Sequence, residues 1–299
     1  MLIHHKILAY ASPFLNAVRK IAVRTGFVSK NRLRVLIFHD IPPSEEKAFA
    51  RQLNWLKKDW KIISPMEFEK LISGDAPVSG DNLMITFDDG FSSNRGVAER
   101  ILNPMGIQAL FFVVSDFVNI DNYLEARKFI ANNISPEIET TDLPKDWGNM
   151  KWHDLEALIE QGHTIGCHTT KHLCLSDCHT DEELESEIIL SADHLMEKLG
   201  VNIDHFAYSF GGINSFSKEA LIIAKRKFRY IYSGIRGDNV KGGSPFSIRR
   251  DAASYQRFDN DYALFNNRLL DAFLGGAADF YYAKPRETID TWCQKNIHA

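Results

Sequence analysis

Short apolar runs alternate with longer amphipathic segments along most of this chain. Six of the runs read as buried strands: RVLIFH (ending at His39), NLMITF, QALFFVV, HTIGCH, HFAYSF and RYIYSG. Between them, apolar residues recur at helical spacing in FARQLNWLKKDW, PMEFEKLISG, NRGVAERILNPMG, KWHDLEALIEQG, TDEELESEIILSADHLMEKLG and SKEALIIAKRKF. Continuously apolar strands that alternate with helices predict parallel β–α–β units covered on both sheet faces. The pattern therefore predicts an α/β fold, either a barrel or a doubly wound sheet.

Glycine and proline mark several predicted helix boundaries. Pro65 occupies a favoured first-turn position, Gly162 follows the end of KWHDLEALIEQG, and a long helix is expected to start near Thr180. By contrast, residues 116–150 show no clear period and are expected to form a long irregular segment. A segment of that kind often borders a binding site.

Polar side chains follow the predicted strands at their C-terminal ends. His39, the pair Asp88 and Asp89, His168, and the dipeptide at 209–210 all have this position. In parallel β/α folds these ends meet at the face that carries the chemistry. The sequence therefore predicts a functional site built from these residues.

The adjacent carboxylates of Asp88 and Asp89 need a positive partner, because like charges repel and burying an unpaired charge is costly. His168 and His172 are four residues apart, which lets both imidazoles face one cation. Two histidines and one carboxylate form a facial triad with open positions. Asp89 is then the expected ligand, with Asp88 beside the water that the cation binds.

Two other interpretations of these residues remain open. The Asp pair could cap the following helix at a surface turn. A structural zinc site could instead form from a cluster of cysteines and histidines, although their spacings match no common zinc motif. Its candidates are Cys167, His168, His172, Cys174, Cys178 and His179.

Several motifs together resemble the polysaccharide deacetylase family, carbohydrate esterase family 4, which carries the NodB homology domain. They are TFDDG, HTTKH, WHDLEALIEQG and FAYSFGG. The resemblance covers roughly residues 33–255 and implies a distorted (β/α)7 barrel. It also implies that Asp88 is the general base and that Asp89, His168 and His172 bind a divalent metal ion, for which Zn²⁺ is the expected choice.

The segment VLIFHDI is similar to one that precedes the Asp-Asp motif in poly-N-acetylglucosamine deacetylases, whose motif order is permuted. That resemblance implies that His39 is the general acid, and the family implies an oxyanion contact from the backbone N–H of Phe210. Arg250, or less favourably Arg249, is expected to pair with Asp88. The family usually has proline where Ser209 stands, so a looser loop is expected there.

The implied reaction is removal of N-acetyl groups from amino sugars of a surface polysaccharide or of its lipid- or nucleotide-linked precursor. Alternatives on the same fold are a deformylase, an O-acetyl esterase or an inactive sugar-binding module. Metal-dependent phosphoester cleavage is disfavoured, because neither a second ligand set nor a phosphate clamp is apparent. The aromatic residues considered for sugar stacking are Trp152, Tyr208, Phe210 and Tyr255.

Composition places the chain among globular proteins and limits its partners. Of 299 residues, 44% are hydrophobic and 25% are charged, which is enough apolar material for a large core. A net charge of −4 gives no general attraction to nucleic acid, so none is expected as a partner. Four cysteines without a C-x-x-C pair favour a reducing compartment.

The charge is nevertheless uneven, because the first acidic residue is Asp40 and many basic residues precede it. We therefore divide the chain into a basic amphipathic segment, residues 1–30, and a catalytic domain, residues 31–299. The segment either packs on the domain as an ordinary helix or lies on an anionic membrane surface. Neither a membrane span nor a secretion signal is expected, so the predicted location is cytoplasmic, with peripheral contact at the inner membrane face.

Overall fold

In a computed structural model of the chain, residues 3–27, 29–240, 243–252 and 266–295 are described. The strands are β1 (Arg32–Phe38), β2 (Lys61–Ile63), β3 (Asp81–Phe87), β4 (Leu110–Val113), β5 (Thr164–Cys167), β6 (His205–Ala207), β7 (Tyr230–Tyr232) and β8 (Asp251–Ala252). The helices are α1 (Ile3–Arg24), α2 (Glu46–Leu56), α3 (Pro65–Ile72), α4 (Ser93–Val97), α5 (Ser115–Asn119), α6 (Tyr123–Phe129), α7 (Trp152–Glu160), α8 (Asp181–Leu199), α9 (Lys218–Ala224), α10 (Asn267–Leu274) and α11 (Ala283–Lys295). Short 3₁₀ or π turns join several of them.

The strands form one parallel sheet in the order β7-β6-β5-β4-β3-β1-β8, with β2 also paired to β3. The segment that ends in β8 contacts both edges of this sheet. Ile248 bridges to Tyr232 of β7, whereas Asp251 and Ala252 pair with β1. The sheet is thereby curled into a distorted barrel with seven strands on its path, as the family resemblance implies.

Alternate residues of the strands enter two different apolar cores. Val35, Phe112 and Tyr232 belong to strands that are far apart in the sheet order, yet they share one cluster, so that cluster lies inside the barrel. Phe38 and Phe111 face the surrounding helices instead. Because both faces are covered, every strand position can be apolar, which explains the unbroken runs in the sequence.

The predicted helix boundaries agree with the structure. Ser64 and Glu67 form a capping box before α3, with Pro65 as its first residue. Thr180 and Glu183 do the same for α8, which ends at the left-handed Gly200.

The expectation of an irregular segment at residues 116–150 is wrong for its first part. It contains most of α5, all of α6 and a π turn, Ile130–Ile134. These elements enclose a separate apolar cluster that includes Phe117 and Trp147. The buried Arg127 also donates to the carbonyl oxygens of Thr140, Leu143 and Pro144. Tertiary packing thus orders a stretch that has little helical period of its own.

Helix α1 packs along α10. Ala9 is buried against Leu269 and Phe273, and the Ser12 hydroxyl donates to a carboxylate oxygen of Asp271 at 2.9 Å. Across the described parts of the chain, no helix combines the length and the apolar character that crossing a membrane requires.

Candidate metal centre

The C-terminal ends of four strands bring the predicted site residues to one mouth of the barrel. His39 follows β1, Asp88 and Asp89 follow β3, and His168 follows β5. Phe210 lies three residues beyond β6. All of these residues line a single cavity of about 370 Å³.

Asp89 lies between two imidazoles. Its Oδ1 atom is 3.4 Å from Nε2 of His168 and 3.4 Å from Nε2 of His172. The three ligand atoms lie within 4.8 Å of one another, and all three residues are buried. Two nitrogen donors and a carboxylate oxygen at such distances form a donor set that suits a single divalent cation.

Backbone carbonyls fix the orientation of both histidines. Nδ1 of His168 donates to the carbonyl oxygen of Ala207 at 2.6 Å, and Nδ1 of His172 donates to that of Asn133 at 2.9 Å. A carbonyl oxygen only accepts, so the proton of each neutral ring is on Nδ1. Each Nε2 lone pair is then directed toward Asp89, the arrangement typical of metal-binding histidines.

Electrostatics in this cluster keep the carboxylate ionised. Burial opposes the charge on Asp89, but His168, which can donate from Nε2 when its ring is protonated, and the nearby imidazoles hold the Asp89 pKa well below the usual value. Burial lowers the pKa of His172 to about 4, more than Asp89 raises it. Burial also acts to lower the pKa of His168, but Asp89 and Asp88 outweigh it and raise that pKa. At neutral pH the arrangement therefore favours an ionised Asp89 carboxylate beside an unprotonated His172 imidazole.

Asp88 has a different partner from its neighbour. Arg250 donates from Nη1 to Oδ1 of Asp88 at 2.7 Å and from Nη2 to Oδ2 at 2.9 Å. Its Nε atom donates to the carbonyl of Ser233 at 2.9 Å, and the guanidinium carbon lies 5.1 Å from the ring centre of Phe112. Arg249 points elsewhere and pairs with Asp290. Arg250 is therefore the arginine that contacts Asp88. The two adjacent carboxylates thus have different partners, a guanidinium for Asp88 and two imidazoles for Asp89.

Backbone strain is concentrated at this mouth. Within the described ranges, the non-glycine residues with positive φ are Asp89 (74°), Thr169 (68°), His172 (61°) and Phe210 (61°). Such conformations are costly for residues with a Cβ and tend to persist where function requires them. All of them belong to the candidate site or adjoin it.

Ser209 is firmly held rather than loosened. It is fully buried, and its hydroxyl lies 3.2 Å from that of Thr169, which also accepts the backbone N–H of His172. A hydroxyl here joins the loop after β6 to the turn between the two histidines. The looser loop expected from the absence of proline is not what the structure has.

The segment 116–150 supplies part of the cavity wall that the sequence did not assign to particular residues. Ile134, Ser135, Glu137 and Trp147 line the cavity, and the Trp147 indole N–H donates to Asp40 at 2.9 Å. Asn133 contributes a backbone carbonyl to His172, a role without any side-chain signal. Only the position of this irregular stretch, between two strands, indicated that it could border the site.

Other candidates lie away from this cluster. The buried Cys167 thiol donates to Ser191 and burial raises its pKa to about 12. Among the described residues, Asp89, His168 and His172 form the one group of three or more side chains suited to a metal. Tyr208 lines the cavity but is buried, Phe210 is half exposed at its rim, and Trp152 lies outside the lining. Tyr255 falls outside the described residues.

Comparison with known proteins gives the same family as the motifs. The family model for polysaccharide deacetylases matches residues 75–227, just over half of the chain. YxkH of Bacillus subtilis, which is named as a polysaccharide deacetylase, is 25% identical over 120 residues, covering 37% of this chain and 43% of that protein. This chain thus aligns with less than half the length of that relative.

Solved structures with a similar fold include IcaB from Ammonifex degensii, with a TM-score of 0.60, 19% identity and coverage of 81% of this chain and 97% of that one. The Streptococcus pyogenes deacetylase PplD, solved with acetate, gives a TM-score of 0.62, 17% identity and coverage of 82% and 99%. The BpsB deacetylase domain from Bordetella bronchiseptica gives 0.59, 18% identity and coverage of 75% and 96%. At these identities the likeness shows a common fold. With the match to the family model, it follows that the chain belongs to the polysaccharide deacetylase family.

Proposed function

We propose that this protein is a metal-dependent carbohydrate deacetylase that hydrolyses the N-acetyl group of an amino sugar to acetate and a free amine. The observation that carries the proposal is the pairing of two sites in one cavity. Asp89, His168 and His172 offer a buried donor set, while Asp88 is held beside it by Arg250.

The donor set suits Zn²⁺, because imidazole nitrogen and carboxylate oxygen are both common zinc ligands. Asp89, His168 and His172 would hold the ion. Bound there, a divalent cation supplies Lewis-acid polarisation of water and of a substrate carbonyl.

The chain's own residues would then carry the proton transfers. Asp88, oriented by Arg250, accepts a proton from the attacking water. The backbone N–H of Phe210 donates to the oxygen of the tetrahedral intermediate, a contact typically worth about 3 kcal/mol. His39 donates a proton to the departing amine nitrogen, which is needed because an amine anion leaves very poorly.

The size and the charge of the cavity also limit which substrates fit. At about 370 Å³ it is at the small end of the range for small-molecule sites, which favours one acetylated sugar unit at a time. Asp40 and Glu137 make the lining acidic, and Arg250 is already paired with Asp88. Such a lining disfavours a phosphate next to the reacting sugar. We therefore propose a polysaccharide, or a precursor whose phosphate lies far from the acetyl group.

The decisive experiment measures acetate release from N-acetylated glycans and sugar precursors, together with the metal content of the protein. We expect acetate release that a chelator abolishes and that added zinc restores. O-acetylated and N-formylated sugars tested in parallel distinguish the esterase and deformylase alternatives. A protein that binds glycans but lacks both metal and acetate release would instead be a sugar-binding module, and the proposal would fail.

A further inference from the structure

Helix α1 carries large apolar side chains on the face that points away from the protein. The exposed fractions are 80% for Tyr10, 71% for Phe14, 61% for Ile7 and Ile21, and 47% for Val18. At 3.6 residues per turn these positions fall within an arc of about 80°, so they form one continuous stripe. Large apolar side chains grouped in this way on a surface indicate an interaction site.

The stripe is not the face that attaches α1 to the protein. That attachment uses other sides of the helix, with Ala9 buried, Leu8 partly buried and Ser12 hydrogen-bonded to Asp271. The helix is thus docked through one face, and its most apolar face remains toward solvent. Removing the stripe should therefore leave the docking of α1 intact.

Basic side chains lie on the polar side of α1, about 80° to 140° around the helix from the centre of the stripe. Arg19, Lys20, Arg24, Lys30 and Arg32 line a cavity of about 530 Å³ next to the C-terminal half of α1. Its acidic lining residues are fewer: Asp59, Asp81 and Asp271. Arg32 is bound by Asp81 through two contacts of 2.6 Å, which leaves a positive balance on the other residues.

We propose that α1 is an interfacial helix that binds an anionic phospholipid membrane, with the apolar stripe buried at the acyl boundary and the basic side chains of its polar side pairing with lipid phosphates. An apolar face combined with lysine and arginine on the polar side is the composition of helices that lie in the membrane interface. Charge complementarity favours the membrane over a second copy of the chain. No acidic residue precedes Asp40, so two copies of α1 would bring like charges together.

The proposal goes beyond the deacetylase assignment, because the stripe is separate from the catalytic cavity and vesicle binding needs no substrate. The test is co-sedimentation of the purified full chain with vesicles of phosphatidylcholine alone or mixed with phosphatidylglycerol, at low and high salt. We expect binding to the mixed vesicles that salt weakens, and little binding to phosphatidylcholine. The double variant Lys20→Ala/Arg24→Ala should bind about 25-fold more weakly, from about fivefold per basic residue.

The double variant Tyr10→Ser/Phe14→Ser should weaken vesicle binding at least about tenfold, because two large side chains no longer enter the apolar layer. Matched controls are Leu190→Ser and Lys198→Ala on α8, where an exposed apolar residue and an exposed cation are removed elsewhere. Circular dichroism melting checks that each variant is folded. Absent vesicle binding, or binding that neither α1 double variant weakens, would overturn the proposal. So would a dimer in sedimentation that Tyr10→Ser/Phe14→Ser dissociates while vesicles remain unbound.

Discussion

Arg250 holds both carboxylate oxygens of Asp88, at 2.7 and 2.9 Å, and both side chains are almost completely buried. A two-point contact of this kind fixes the plane of the carboxylate as well as neutralising it. The arginine comes from the segment that closes the barrel, whereas the aspartate follows β3. The proposed base is therefore oriented by a distant part of the chain.

Replacing Arg250 by lysine should lower turnover about 10- to 100-fold with metal content unchanged. Lysine keeps the charge but offers a point contact, so the orientation of Asp88 is lost. Steady-state kinetics and metal analysis provide the measurement. Arg249→Lys is the matched control, since Arg249 contacts Asp290 instead, and it should remain near wild type. Equal losses in the two variants would indicate a general effect on folding.

Substitutions of the two adjacent aspartates should impair different properties, turnover for Asp88 and metal affinity for Asp89. Asp88→Asn is expected to retain the metal yet lose at least about 100-fold in turnover, because an amide accepts no proton from water. Asp89→Asn is expected to lose metal affinity, because a carboxylate ligand is removed from the donor set. Isothermal titration with zinc and acetate release measure the two properties. Near-normal turnover of Asp88→Asn would refute its assignment as base.

Gly166→Ala should destabilise the fold by about 1–3 kcal/mol through overpacking. A Cβ at Gly166 would lie 2.6 Å from a ring carbon of Phe112, a fully buried side chain beside Arg250. Urea unfolding measures the change. Gly212→Ala is the control, since its Cβ would meet no atom within 4 Å. If both substitutions cost the same, crowding at Phe112 is not the cause.

Stability should depend on pH through His163, which is remote from the proposed metal site. Burial lowers its pKa to about 4, and its Nδ1 accepts the Ala109 N–H, which requires an unprotonated nitrogen. The unfolded chain, with a histidine pKa of about 6.5, binds more protons between pH 4 and 6.5, so stability falls as the pH falls through that window.

From pH 7 to pH 5 the contribution of His163 should be a loss of about 2 kcal/mol in the free energy of unfolding. Urea titrations at several pH values compare the wild type with His163→Gln. The variant should be less stable at pH 7 but should lose less on acidification. His172 titrates in both proteins, so the difference between the two pH profiles isolates the contribution of His163. Parallel profiles would contradict the prediction.

Strands β1 and β3–β7, most helices and the clustering of Asp88, Asp89, His39 and His168 were predictable, because parallel strands place their C-terminal ends at one face. Strand β8 was not predicted, since it is only two residues long. The choice between Arg249 and Arg250 was not settled by sequence, since both lie in the same short segment. The left-handed backbone at Thr169 and His172 has no residue signal either. The outward direction of the apolar stripe on α1 depends on docking to α10, a contact between distant parts of the chain.

The joining of both sheet edges by Ile248 and β8 affects the order in which this protein should lose its properties on denaturation. The same few residues that seal the ring also deliver the guanidinium to Asp88. A fluctuation that separates this segment from the sheet edges also frees Asp88, the proposed base, from Arg250, even when the proposed metal ligands that follow β3 and β5 stay in place. Loss of turnover should therefore precede loss of metal during gradual denaturation. Turnover would then report whether Ile248 and β8 still close the barrel.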